Sequence, residues 1–295
     1  MKLILLSVLS AFFLICCTKK NRETPALTFK GSNTSNEVVY ALSKHFNKNS
    51  KKKIIVLGGG SEEAVQEFLN GNLYYLNCSR KLSDNEIKKA ERTFDKKVKE
   101  IIIGLDAIAL IVNPKLGVHD LNLTQISDIL EGRTTNWKTF GGPDLKIQLY
   151  GRKSTSGTNH FIKDKFAPNG YVSGIIEKDN AKEIVKAIKQ DLAGFSYVDL
   201  ASISTKEHFP IEGIWAINIA IEGGSSISPF ERMAVLNGNY PLSRPLYQYI
   251  VDFEDIIIND FINFELSDIG QDLMEREGFF KILPMHRALN KENGF

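Results

Sequence analysis

The run Ile54-Ile55-Val56-Leu57 leads directly into Gly58-Gly59-Gly60-Ser61, and then into a stripe of Ala64, Val65, Phe68 and Leu69. A continuous apolar run rich in β-branched residues reads as a strand buried on both faces, as in a parallel sheet. Apolar residues three and four apart read as one face of a helix. A strand, a small-residue turn and an amphipathic helix in that order point to an α/β architecture.

The same order recurs along the chain. Ala26 to Lys30 reads as a short strand before Gly31-Ser32-Asn33-Thr34, and the helix that follows carries Val38, Val39, Leu42 and Phe46 on one face. Ser83-Asp84-Asn85-Glu86 fits a capping box that opens a helix through Phe94. Val98 to Gly104 and Ala107 to Val112 read as two strands, the second stopped by Asn113-Pro114. Thr124 is expected to cap a short helix containing Ile126, Ile129 and Leu130. Ile147 to Tyr150 reads as a strand that delivers the chain to Arg152, ahead of a helix from Asn159 to Phe166. A helix over Ala181 to Gln190 and strands over Gly194 to Val198, Trp215 to Ile221 and Pro245 to Val251 follow. Helices over Asp255 to Leu266 and Ser267 to Glu277 end the pattern, the last closed by Gly278. The expected fold is α/β with mainly parallel sheets and no internal repeat.

With 295 residues the chain can build two lobes of ordinary domain size, and its apolar fraction of 43% and charged fraction of 24% suit a globular protein. A net charge of only +2 gives no electrostatic footprint for nucleic acid. At the N-terminus, Lys2 precedes an apolar run from Leu3 to Ile15, shorter than a membrane span and suited to a signal-peptide core. The run ends at Leu14-Ile15-Cys16-Cys17, which looks like a bacterial lipobox with cleavage before Cys17 and lipidation of its sulfur. The alternative is a signal peptide cut without lipidation. Residues 1–16 are thus expected to be a leader and 17–26 a polar tether. One further cysteine, Cys78, leaves no internal disulfide. His45, His119, His160, His208 and His286 lie far apart with no metal-ligand spacing, so no metal or cofactor is expected.

Three turns carry the chemistry: Gly31 to Thr34, Gly58 to Ser61, and Arg152-Lys153-Ser154-Thr155-Ser156-Gly157-Thr158. Each precedes a helix, where unpaired backbone N–H groups and the helix dipole favour an anion. A bound tetrahedral oxyanion must regain about as many hydrogen bonds as it loses from water. Thr34, Ser61, Ser156, Thr158 and the N–H of Gly157 can supply them, and Arg152 adds a charge-assisted fork. A single such turn would be an ordinary helix cap. Three of them, distributed on either side of Asn113-Pro114, point to one anion held in a cleft between two lobes. The chain lacks the GxSxG nucleophile elbow and the GxxxxGK[ST] nucleotide loop.

These residues resemble the substrate-binding protein of bacterial phosphate ABC transporters, the PstS family. Further landmarks are Asn77-Cys78-Ser79-Arg80, Asp106 to Pro114, Thr135-Asn136-Trp137, Gly194-Phe195-Ser196-Tyr197-Val198 and Tyr240-Pro241-Leu242-Ser243-Arg244-Pro245-Leu246. The resemblance implies a two-lobed, type II periplasmic-binding-protein fold. Lobe 1 is expected over residues 27–104 and 246–295, and lobe 2 over 105–245. It also implies a monomeric, lipid-anchored envelope protein that closes on inorganic phosphate, passes it to a permease and catalyses nothing. Thr34, Ser61, Ser79, Arg80, Arg152, Ser156, Gly157 and Thr158 fall on the family's phosphate contacts.

Arg80 departs from the best-known members, which carry an aspartate there to accept the proton of phosphate. Arginine cannot accept a hydrogen bond. It either pairs with a phosphate oxygen or turns away while Ser79 makes the contact. Asp106 is a candidate for a compensating acceptor or for the partner of a binding arginine. Sulfate or molybdate binding, and a secreted phosphoester hydrolase using one of the serines, are the alternative readings.

Overall fold

The computed structural model describes residues 27–221, 224–251 and 255–295. The expected leader, Cys17 and the tether lie outside the described residues. The chain opens with β1 (Leu27–Gly31), α1 (Asn33–Phe46), β2 (Ile54–Leu57), α2 (Ser61–Leu69), β3 (Tyr75–Cys78) and α3 (Asp84–Phe94). It crosses to a second lobe on β4 (Val98–Val112), then forms β5 (Asp120–Asn122), α4 (Leu123–Leu130), β6 (Gln148–Arg152) and α5 (Gly157–Phe166). β7 (Ile176–Lys178), α6 (Ala181–Gln190), β8 (Gly194–Asp199), β9 (Trp215–Ala216), β10 (Asn218–Ala220), β11 (Ser226–Ile227) and α7 (Arg232–Leu236) complete that lobe. The chain returns on β12 (Ser243–Val251) and ends with α8 (Ile256–Leu266), α9 (Asp268–Arg276) and α10 (Pro284–Glu292).

β1 lies parallel between β2 and β3, and β6 lies parallel between β7 and β8. At the centre the pairing is antiparallel: β12 runs against both β3 and β4, and β4 runs against β8. The parallel pattern expected from the sequence therefore holds in the outer part of each lobe and gives way at the crossing. A chain that leaves by β4 and comes back by the adjacent β12 must travel in opposite directions along them.

The two strands expected at 98–104 and 107–112 are one strand of 15 residues. Its first part pairs with β12 and its last five residues pair with β8, so a single strand belongs to both lobes. Gly104 is not a break. A Cβ there would sit 2.7 Å from the Met274 sulfur, so the glycine lets α9 approach the crossing strand. The register with β12 slips between Leu246 and Tyr247, a bulge that adds local twist where the strand passes between lobes.

Two hydrophobic cores flank this crossing. One gathers Phe29, Val38, Leu42, Phe68, Leu76, Ile102, Tyr249 and Phe261, from both ends of the chain. The other gathers Ile108, Ile111, Trp137, Ile162, Ile184, Phe195 and Ile219, all from the middle. Each such side chain contributes about 1.5–3 kcal/mol when fully buried.

Local sequence signals explain most of the ends. Ser83 and Glu86 form the capping box of α3. α4 starts earlier than expected: Asn122, not Thr124, is its cap, with Gln125 returning the hydrogen bond. The expected strand from Trp215 to Ile221 divides into β9 and β10, because Ile217 N donates to Leu110 O between them. α10 was not anticipated. It is held to β4 by Asn290, whose side chain accepts from Ile102 N at 2.9 Å and donates to Ile102 O at 2.8 Å.

Candidate anion-binding site

Three helices direct their N-termini at one place between the lobes, and the residue before each helix explains how. Ser32 caps α1 by accepting from Ser35 N, Gly60 precedes α2, and Ser156 caps α5 by accepting from Asn159 N. Thr34, Ser61, Gly157 and Thr158 thus lie in first helical turns, where backbone N–H groups have no partner within the helix. α5 begins at Gly157, two residues before the start expected from the sequence, because Ser156 serves as its cap.

The side chains of the two lobes meet across this point. Thr34 Oγ1 of α1 is 3.3 Å from Thr158 Oγ1 of α5. Ser32 donates to Ser79 Oγ at 3.0 Å, and Ser61 Oγ lies 3.3 Å from Ser79 Oγ. A Cβ on Gly157 would come within 2.4 Å of Ser79 Oγ and 2.5 Å of Ser61 Oγ, so only glycine lets the first turn of α5 rest against the lobe-1 hydroxyls. The backbone adds one more tie, from Glu62 N to Thr155 O at 3.3 Å. Ser32, Thr34, Ser61, Ser79, Ser156 and Thr158 are all buried.

Arg152 ends β6 beside them and is 5% exposed. Its Nη2 donates to Asp179 O at 3.2 Å, while its Nε finds no acceptor among the described residues. Burial holds its pKa below the ordinary arginine value, with Asp199 acting in the other direction. A buried guanidinium with an uncommitted N–H is a strong donor for an anion, since charge-assisted bonds contribute about 1.5–3 kcal/mol each.

Arg80, expected among the contacts, lines a cavity beside the cluster but spends its N–H groups on other partners. Its Nε and Nη2 donate to the two Glu62 carboxylate oxygens at 2.6 and 3.0 Å, and its Nη1 and Nη2 donate to Glu86 at 3.0 and 2.8 Å. Of the two arrangements open from the sequence, the guanidinium adopts the one turned away, and Ser79 alone faces the other hydroxyls. The physical reason is local. α2 and the α3 capping box each present a glutamate to Arg80, and two forks to these carboxylates with one bond from Nη1 to Lys81 O at 3.1 Å use all five of its N–H groups.

A second arginine takes a place the sequence reading gave only to a landmark block. Arg244 of β12 is 3% exposed and lies opposite Asp106 of β4 in the register. Its Nε and Nη2 donate to Asp106 Oδ2 at 3.1 and 2.9 Å. Nη2 also reaches Thr158 Oγ1 at 2.9 Å, and Nη1 reaches Gly157 O at 3.2 Å. Asp106 is thus the partner of an arginine at the crossing. Burial pushes its carboxyl up to about 7, while Arg244 pulls it down. A signal was present just before the expected strand: Arg244 stands between Leu242 and Leu246 at alternate positions that suit a buried face, and a buried charge requires a partner. Ser32, in the first of the three turns, joins the cluster through Ser79.

A cavity of about 900 Å³ opens beside this cluster, lined among others by Ser79, His160, Phe161, Lys165 and Arg244. His160 Nε2 stands 3.7 Å from Glu62 Oε1 across the cleft. Among the described residues there is no metal-binding group of acidic, histidine or cysteine side chains, and no helix is long and apolar enough to cross a membrane. Cys78 is free and buried, and burial pushes its thiol up to about 11.

Residues 18–268 match the family model described as a PBP superfamily domain. The chain is 27% identical to the phosphate-binding protein PstS of Borreliella burgdorferi over 95% of its length and 98% of that protein. It is 25% identical to the PstS of Bacillus subtilis, covering 96% of this chain and 95% of that one. Among solved structures it is similar to a phosphate-bound protein from Clostridium perfringens, assigned as a phosphate ABC transporter substrate-binding protein. That likeness has a TM-score of 0.73 and 26% identity, covering 88% of this chain and 100% of the other. A family match across most of the described residues, with a mixed α/β fold of two lobes closing on a buried cluster of donors, makes the chain a member of the PBP superfamily.

Proposed function

We propose that this protein binds inorganic phosphate with high affinity outside the cytoplasm and delivers it to the permease of an ABC importer. The observation that carries the reading is the convergence of three helix N-termini, a ring of buried hydroxyls and the buried Arg152 at one interlobe point. The similarity to proteins named for phosphate binding supports phosphate over other oxyanions. In this reading Thr34, Ser61, Ser79, Arg152, Ser156, Gly157 and Thr158 bind the anion. Arg80 organises α2 and α3 behind it, and Asp106 anchors Arg244. The lobes comprise residues 27–104 with 246–295, and 105–245, and they close because the ligand binds the closed arrangement more tightly.

The protein acts by binding alone, as a monomer held at the membrane through a lipid on Cys17. The Leu14-Ile15-Cys16-Cys17 sequence supports that anchor. Incorporation of radiolabelled palmitate, lost in Cys17→Ser, tests it; unlabelled wild-type protein refutes it.

Titration calorimetry of the mature protein with phosphate, sulfate and molybdate tests the ligand assignment. Stoichiometric, tight phosphate binding is expected, without turnover of a generic phosphomonoester. Tighter binding of molybdate than of phosphate would overturn the assignment, and hydrolysis of the ester would overturn the claim that the protein only binds.

A further inference from the structure

Each hydroxyl in the cluster has one proton and two lone pairs, so what it offers a ligand depends on the bonds it already receives. Thr158 Oγ1 accepts from Arg244 Nη2 at 2.9 Å, so its own proton points away from the guanidinium, toward the cleft where Thr34 Oγ1 lies at 3.3 Å. Ser32 Oγ accepts from Ser35 N at 3.3 Å and donates to Ser79 Oγ at 3.0 Å, leaving the Ser79 proton to point onward. Ser156 Oγ accepts from Asn159 N at 3.4 Å. Ser61 Oγ accepts from Ser79 N at 3.5 Å. Both lobes therefore run short donor chains toward the same point. One starts at a helix amide, and the other starts at an arginine that two bonds fix to Asp106.

We infer that Arg244, braced by Asp106, is a positioning residue that turns Thr158 into a committed donor, so the cleft selects an oxyanion by its charge and acceptor oxygens rather than by its proton. The inference rests on the phosphate-binding reading above and specifies which form of the anion that site takes. Its structural counterpart is the position of Arg80, which offers no acceptor and is held by Glu62 and Glu86. With Thr158 accepting from Arg244 and Ser79 accepting from Ser32, the protons of these two hydroxyls are left for the anion, which favours dianionic hydrogen phosphate over the dihydrogen form and discriminates weakly against sulfate.

Titratable and charged groups surround Arg244 and Thr158 on every side. Asp106 comes from β4, Asp199 from β8 and Arg152 from β6; His160, Asp164 and Lys165 come from α5 along the neighbouring cavity, and Glu62 of α2, Glu86 of α3, Arg80 and Lys81 face them from lobe 1. Their titration acts on any bound dianion, so the ratio of phosphate to sulfate affinity removes it and leaves the ionisation of phosphate itself. The experiment is calorimetry with both anions from about pH 5 to about pH 8, which brackets the loss of the second phosphate proton. In the wild-type protein the ratio is expected to fall by up to about tenfold for each pH unit below that ionisation. In Arg244→Lys, which keeps the charge but loses the fork, the ratio is expected to depend less on pH and to shift toward phosphate at the acid end.

A flat wild-type ratio, or phosphate binding with no measurable sulfate binding, would overturn the inference while leaving phosphate binding intact. So would an Arg244→Lys protein that weakens both anions equally at every pH, since that is a structural effect only. If neither anion binds the wild-type protein, it is the functional reading that fails.

Discussion

Gly157→Ala separates affinity from stability. The substitution places one methyl group at the first residue of α5, where Gly157 does not have the left-handed backbone that would strain alanine. The helix itself tolerates the change, because alanine is the better helix former. Across the cleft, the same methyl would lie 2.4 Å from Ser79 Oγ and 2.5 Å from Ser61 Oγ. Either the lobes stop short of full contact or both hydroxyls rotate off their lines. Each displaced charge-assisted bond to the anion removes about 1.5–3 kcal/mol, so losing one or both costs between about tenfold and about 10⁴-fold in affinity. Calorimetry with phosphate measures this, alongside a thermal melt without ligand. The expected pair of results is a large loss of affinity and a ligand-free Tm within a few degrees of wild type. Wild-type affinity in the alanine variant would refute the argument that these hydroxyls close onto the anion against Gly157.

Other substitutions probe the remaining parts. Arg152→Ala or Ser156→Ala is expected to weaken phosphate binding by about an order of magnitude or more, read by calorimetry. Arg80→Met should leave phosphate affinity nearly unchanged but lower stability by about 1–3 kcal/mol, between exposed and buried ion pairs. Chemical denaturation reads that loss. Burial tends to raise the Glu86 carboxyl, but bonds from Arg80 and Ser83 outweigh it and hold the group below its ordinary value of 4.5. Stability from this pair is therefore present above that value and fades as pH falls through the depressed one, and Arg80→Met should flatten that acid limb. Glu265 behaves oppositely: complete burial holds it well above 4.5, with one bond from Gln248 acting the other way. The folded state keeps a proton that the unfolded chain has lost, so this group lowers stability as pH rises above about 4.5. Glu265→Gln should raise Tm near neutral pH, by about 2–4 °C per kcal/mol relieved, with the gain vanishing toward pH 4.

Strand–turn–helix units could be read from residues such as Ile54 to Leu57 and Ser83 to Glu86 because their signals are local. Hydrophobic period, caps and glycine turns all act within one or two turns of chain. The donors on α1, α2 and α5 were legible for the same reason, since each lies beside its own cap. What stayed hidden depends on contacts far apart in sequence. Gly104 looked like a strand end because nothing nearby shows that Met274 packs on it from 170 residues away. The orientation of Arg80 depends on Glu62 and Glu86, each an ordinary helix-start glutamate on its own. Arg244 becomes part of the site only once β12 lies beside β4 and brings it to Asp106.

The strand that belongs to both lobes also has a consequence in time. The middle core is built almost entirely from residues 105–242, with Phe280 added from the C-terminal part, whereas the other needs Tyr249, Ile258 and Phe261 to meet Phe29 and Leu76. β3 can gain its second neighbour only when β12 arrives, some 170 residues later. As the chain emerges end-first during synthesis, the central lobe can condense while the first six elements wait with an open sheet edge. An unpaired edge of that kind is the part of the molecule most exposed to aggregation. The last fifty residues are thus what completes the opening ones, and a chain truncated before β12 should leave its first lobe protease-sensitive while the second still folds.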